Sequence, residues 1–218
     1  MKRSNRINPY YPLFLNVTGK KSVVVGGGLV AFRKIQTLLE HGALVTIVSP
    51  EICWEINDLR ENNKVHILHR DYRTGDLQGA FIVIAATNIA STNKAIATEA
   101  KEKGILLNVV DDADNSDFIL PSYLNRGDLT IAISTAGMSP ALARKIRTRL
   151  EKEYGDEYAS LLLLINQVRE EIKNQGITVS NDKWQEALDL DLFIDMLKQG
   201  HHEKARDVLF NTLKSDSK

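Results

Sequence analysis

Three consecutive glycines, Gly26-Gly27-Gly28, separate a run of valines from a segment with helical apolar spacing. Continued by Leu29-Val30-Ala31, they fit the G-x-G-x-x-A turn that leads from the first strand of a Rossmann-type sheet into its first helix. Without side chains, such a turn lets the backbone approach a pyrophosphate, and the amides and dipole of the helix start favour its negative charge. Three glycines in succession exceed what an empty strand-to-helix turn requires. Gly26, Gly27, Gly28, Leu29 and Val30 are therefore the expected dinucleotide pyrophosphate site.

The segments that follow repeat the same alternation. Short β-branched runs at Ser22 to Val25, Val45 to Val48, Val65 to Leu68, Phe81 to Ala85 and Leu106 to Val110 alternate with longer helical patterns, which predicts right-handed βαβ units and a parallel sheet. The first helix carries Ala31, Ile35, Leu38 and Leu39 on one face and Arg33, Lys34 and Glu40 outside, and it stops at Gly42. A later helix is expected from Asn93 to Lys103. After Asp117 the βαβ logic ends: Phe118 to Pro121 and Leu129 to Ser134 read as strands joined through Asn125-Arg126-Gly127-Asp128. Ser139 as N-cap and Pro140 at the first helical position then open a helix that Gly155 interrupts, and Asp156 onward shows helical spacing only. The expected fold class is α/β, a doubly wound parallel sheet over residues 1–113, a small α+β segment over 114–154 and a helical domain over 155–218.

Several polar positions fall where this topology places ligands, at the carboxyl edge of the sheet. Ser49-Pro50-Glu51 ends the second strand, where a dinucleotide site holds the adenosine ribose; a hydroxyl and a carboxylate with no adjacent Arg or Lys favour NAD over NADP. Thr87, after Ala85-Ala86, either borders the cofactor or caps the next helix. Asn108 lies on the fifth strand as a candidate substrate contact, and Asp111 follows it as a candidate base facing the nicotinamide. Ser134, Thr135, Gly137 and Ser139 form a hydroxyl-rich loop entering a helix N-terminus, a setting that suits anions, and Arg144 and Arg147 behind it are candidates to hold a polycarboxylate.

Composition removes other classes. With 28 Lys plus Arg against 28 Asp plus Glu there is no global positive field for nucleic acid or an anionic membrane. The basic stretch Met1 to Asn8 runs into Pro9-Tyr10-Tyr11-Pro12 instead of a sustained apolar run, and no segment offers the roughly twenty apolar residues of a membrane span. A cytoplasmic protein is expected. The polar tail Lys214 to Lys218 is expected to fray. Cys53 is the one cysteine, which excludes an intrachain disulfide and fits a small apolar residue, and the five histidines show no metal-ligand spacing, so no bound metal is expected. Asp112 to Asp117 imitates a calcium loop, but Asp117 stands where the turn needs Gly and Tyr123 where it needs Glu.

Beyond these elements, the sequence resembles the precorrin-2 dehydrogenases of siroheme synthesis, found alone or as the N-terminal part of siroheme synthases. The resemblance covers about residues 10 to 155. It rests, in order, on Tyr11-Pro12-Leu13-Phe14-Leu15, the glycine turn with Val30-Ala31 and Arg33-Lys34, Ala85-Ala86-Thr87, Asn108-Val109-Val110-Asp111, Phe118-Ile119-Leu120-Pro121, Ile133-Ser134-Thr135 with Gly137, and Ser139-Pro140 with Leu142-Ala143. It implies NAD-dependent oxidation of precorrin-2 to sirohydrochlorin, with Asp111 as the essential aspartate, and an intertwined homodimer built by the segment after the sheet. Asn88 and Met138 depart from the family's usual residues, and the chain beyond Tyr154 is only loosely similar. Two other readings follow: some relatives also insert ferrous iron into sirohydrochlorin, and a glycine-turn domain without turnover is a nucleotide-sensing module. Iron insertion assayed without NAD separates the first, and NADH formation on adding precorrin-2 separates the second.

Overall fold

A computed structural model describes residues 10–62 and 64–215. The expectations for Met1 to Asn8, and for the tail beyond Ser215, lie outside the described residues. The chain divides into two compact units, the first ending at Leu120 and the second beginning at Pro121.

In the first unit five strands, β1 (Lys21–Val25), β2 (Leu44–Val48), β3 (His66–Leu68), β4 (Ile82–Ala85) and β5 (Leu106–Val109), form one parallel sheet in the order β3-β2-β1-β4-β5. Between them run α1 (Leu29–Glu40), α2 (Trp54–Glu61) and α3 (Ala90–Lys103). The strands read as continuous apolar runs because both faces are covered. Val24, Ile47 and Ile84 pack with Ala31, Ile35 and Leu38 of α1 on one face. Val23, Val25, Val83 and Ala85 pack with Ile96 and Ala100 of α3 on the other. A side chain fully buried there, such as Ile35, contributes about 1.5–3 kcal/mol. The crossover preceding β4 is held by Glu99 of α3, which is 2% exposed and accepts from the Tyr72 hydroxyl, from Gly75 N at 3.0 Å and from Lys103 Nζ at 2.6 Å.

Helix α2 has no counterpart in the sequence reading. Its eight residues bury only Ile56, too little apolar periodicity to stand out. The helix expected from Asn93 begins three residues earlier at Ala90, because Thr87 and Asn93 organise its entry through hydrogen bonds.

In the second unit β6 (Ser122–Arg126) and β7 (Leu129–Ile133) form an antiparallel hairpin, with Ser122 opposite Ile133 and Arg126 opposite Leu129. This corrects the strand expected at Phe118 to Pro121. The turn is the two-residue Gly127-Asp128, with Gly127 at φ +56°, so the pairing strand lies nearer the turn. Pro121 also lacks a ladder donor and marks the entry to β6. Four helices follow α4 (Pro140–Glu153): α5 (Glu157–Asn174), α6 (Asn181–Ala187), α7 (Leu190–Lys198) and α8 (His202–Lys214). The break between α4 and α5 contains Gly155, as expected. Arg126 seals the end of α4 by donating from Nε to Tyr154 O at 2.7 Å and from a terminal nitrogen to Glu151 O at 3.0 Å. Leu164, Val168, Phe193 and Leu209 centre a separate helical core.

Candidate functional site

Strand order reverses between β1 and β4, and ligands of open parallel sheets bind at the carboxyl end of that switch point. The glycine turn stands there, and its three members differ. Gly26 has φ +124°, and a Cβ on it would fall 2.3 Å from Ala86 O. A Cβ on Gly27 would fall 1.9 Å from Glu51 O, in a loop held to the turn by Cys53 N donating to Gly27 O at 2.7 Å. The protein's own backbone thus accounts for the first two. Gly28 opens α1 with φ −86°, no side-chain cap and no atom within 4 Å of an added Cβ. Nothing in the protein requires glycine there, whereas a ligand approaching the free amides of α1 does. Leu29 and Val30 stand exposed beside this opening, at 54% and 47%. These residues fit a dinucleotide pyrophosphate.

At the end of β2, Ser49 is buried and its hydroxyl donates to Glu51 O at 2.6 Å. It braces the loop behind Gly27, and only its acceptor capacity remains for a ribose. Pro50 and Glu51 are exposed, so the Glu51 carboxylate faces solvent. Cys53 in the same loop is half-buried, and burial chiefly pushes its thiol pKa up. The Thr87 hydroxyl accepts from Ile89 N at 3.0 Å and donates to Asn93 Oδ1 at 3.2 Å, a turn that leads into α3, while the N-cap itself is Ile89 with no side-chain cap bond.

Past β5, Val110 N donates to Ala85 O at 2.9 Å, extending the pairing by one residue, and Asp111 then turns into the left-handed region at φ +62°. That conformation costs an L-residue about 1–2 kcal/mol, less for Asp, and is held by its surroundings. Ser116 Oγ accepts from Val109 N at 2.9 Å and donates to Asp112 O at 2.6 Å, and Asp117 accepts from Leu107 N at 3.0 Å through its carboxylate. Asn108 donates to Phe118 O at 2.9 Å, pinning the same loop. The bracing by Ser116 and Asp117 was not legible in the sequence, where both read as loop polarity. Asp111 is exposed, and among the described residues its carboxylate has no hydrogen-bond partner. Lys34, expected on the solvent face of α1, is instead half-buried. Burial lowers its pKa, the Asp111 charge opposes that shift and Arg33 adds to it.

In the second unit the hydroxyl loop is largely self-bonded. Ser134 Oγ accepts from Ala136 N at 3.0 Å and Thr135 Oγ1 from Ser139 N at 3.1 Å, while Ala136 and Gly137 take positive φ. Ser139 Oγ accepts from Leu142 N at 3.2 Å, the N-cap expected of it. Arg144 lines a shallow groove along α4 with Lys145, Arg149 and Lys152. Arg147 is not part of that groove; it is half-buried, with Nε 3.5 Å from Glu151. Among the described residues no group of three His, Cys, Asp or Glu lies together as a metal site, and no helix is long and apolar enough to cross a membrane.

Sheet order and glycine turn define a dinucleotide-binding protein of Rossmann type. Residues 13–122 match the family described as "Putative NAD(P)-binding", and residues 126–153 match "Sirohaem biosynthesis protein central". The chain belongs to this NAD(P)-binding family. It is 37% identical over 207 residues to the siroheme synthase of Nitrosomonas eutropha, covering 94% of this chain and 43% of that one. To the siroheme synthase of Chromobacterium violaceum it is 38% identical over 164 residues, 75% of this chain and 35% of that one. It thus spans about two-fifths of the length of these curated relatives. Among solved structures, "SirC, precorrin-2 dehydrogenase" superposes with a TM-score of 0.74 at 27% identity, covering 91% of this chain and 99% of that one.

Proposed function

We propose that the chain oxidises precorrin-2 to sirohydrochlorin with NAD. The observation that carries this reading is Asp111, a carboxylate that makes no hydrogen bond or ion pair among the described residues and is fixed in a left-handed turn at the same sheet edge as the open Gly28. Likeness along nearly the whole length of a precorrin-2 dehydrogenase supports it. Bound NAD supplies the hydride acceptor. The start of α1 holds its pyrophosphate, and the Glu51 carboxylate, with Ser49 and Pro50 shaping the loop and Thr87 bordering the opposite side, receives the adenosine ribose. Asp111 takes the proton, so the tetrapyrrole loses one hydride and one proton, two electrons in all. A positioned base of this kind contributes about 10² to 10⁴ in rate.

The substrate is edged with eight carboxylates. The start of α4 at Ser139, with the loop from Ser134 through Thr135 and Gly137, and the cations Arg144 and Arg147 suit these groups. Of the two, Arg144 offers the freer guanidinium, since Arg147 already faces Glu151. Asn108 acts by holding the Asp111 loop. Residues 1–113 form the cofactor domain, 114–154 the dimerisation segment and 155–218 a helical domain. A homodimer is supported by the β6–β7 hairpin, because a two-stranded sheet is marginal alone and pairs readily through its open edges. The reaction is placed in the cytoplasm. The purified chain mixed with NAD and precorrin-2 should produce NADH. Silence together with intact NADH binding would favour a sensor, and iron insertion into sirohydrochlorin without NAD would add a chelatase activity.

A further inference from the structure

Among the described residues, Lys34 is an ammonium without a hydrogen-bond or ion-pair partner, on the same face of the sheet as the residue preceding the proposed base. It sits on α1 between Ala31 and Ile35, both of which face the sheet, and this flank leaves it half-buried. Phe32 of α1 and Val110, the residue before Asp111, pack against one core cluster, so α1 and the Asp111 turn share a face of the sheet. Asp111 is the carboxylate whose charge acts on Lys34, and Arg33 is the cation that opposes it. Yet among the described residues Lys34 makes no hydrogen bond or ion pair, with Asp111 or any other group. A half-desolvated cation left unpaired is unfavourable unless a ligand completes it.

We propose that Lys34 receives a side-chain carboxylate of the tetrapyrrole, holding the proton-bearing carbon against Asp111. The proposal rests on the substrate reading above. Each pyrrole of such a substrate carries carboxylated side chains, so a carbon within reach of the base lies within a side chain's length of an anion. An ammonium and a carboxylate on one face of the sheet that make no ion pair with each other, among the described residues, both remain open to a ligand. The pyrophosphate has a nearer site, since Lys34 stands six residues beyond Gly28, about 9 Å along the helix.

Lys34→Gln and Lys34→Arg separate this role from others. Sirohydrochlorin is coloured, so its binding can be titrated by absorbance without turnover, alongside NADH affinity, melting temperature and the KM and kcat for precorrin-2. Loss of one charge-assisted bond predicts that Lys34→Gln weakens sirohydrochlorin binding and raises KM by about 10- to 100-fold, while kcat and NADH affinity stay within about threefold. Lys34→Arg should restore most of the loss. Lys34→Gln should melt no lower than the parent; a lower melt would reveal an internal partner and overturn the proposal. Unchanged tetrapyrrole binding, weakened NADH binding, a fall in kcat at constant KM, or no rescue by Arg would each overturn it as well. A parent protein that binds sirohydrochlorin but does not reduce NAD would overturn the dehydrogenase reading alone, and one that binds no tetrapyrrole would overturn both.

Discussion

Replacing Gly28 by Ala separates what the glycine turn does for a ligand from what it does for the fold. The backbone at Gly28 has φ −86°, open to any L-residue, and an added methyl group meets no protein atom within 4 Å. The stability cost is confined to a poorer N-cap, about 0.5–1 kcal/mol, or a melting shift of about 2–4 °C per kcal/mol for a chain of this size. The methyl group instead enters the path by which a pyrophosphate reaches the α1 amides. Losing one charge-assisted amide bond of about 1.5–3 kcal/mol weakens NADH binding roughly 10- to 100-fold. Gly27→Ala is the control, because its Cβ would lie 1.9 Å from Glu51 O and the loop must shift. It should cost at least about 1–3 kcal/mol whether or not a ligand is present. Fluorescence titration with NADH and a thermal melt on both variants decide the matter. The reasoning fails if Gly28→Ala binds NADH as the parent does, or melts as low as Gly27→Ala.

Asp111→Asn tolerates the same left-handed backbone but cannot take a proton; turnover of precorrin-2 should fall about 10²- to 10⁴-fold while NADH titration is unchanged, and full activity would remove Asp111 from the chemistry. Glu99 supplies a pH dependence: burial works against its charge, but the Lys103, Tyr72 and Gly75 donors outweigh it and hold its pKa below the ordinary 4.5. Its contribution is thus present above that value and disappears as pH falls through the depressed one, so melting temperature followed from neutral pH into acid should decline less steeply in Glu99→Gln than in the parent.

Strand positions, the order of alternation and the Ser139 cap were legible because each rests on local pattern: β-branched runs, a glycine turn, a hydroxyl before Pro140. The first strand of the hairpin was misplaced because Phe118 to Pro121 has the composition of a strand, and only the turn at Gly127-Asp128 sets the register, whereas β7 falls where Leu129 to Ser134 was expected. Helix α2 escaped because its stability comes from Ile56 packing and not from a periodic face. At the site, the residue types were readable but their engagements were not. Ser49 looks like a free hydroxyl in sequence and is bonded to Glu51 O in space, and Thr87, a neighbour of the cofactor or a cap by its sequence, is bonded to Asn93. Lys34 reads as a solvent charge and is half-buried, because it stands one residue from Ile35 and one turn from Ala31 and Leu38, at the margin of the buried face of α1.

The central claim is that the open glycine turn and Asp111 together form an oxidation site for a tetrapyrrole. Its most direct test is to follow NADH and sirohydrochlorin simultaneously after adding precorrin-2 and NAD to the purified chain. The account predicts that the two appear at equal rates in equal amounts, and only when NAD is present. Sirohydrochlorin formed without matching NADH, or precorrin-2 left unchanged by a chain that binds NADH, would contradict it.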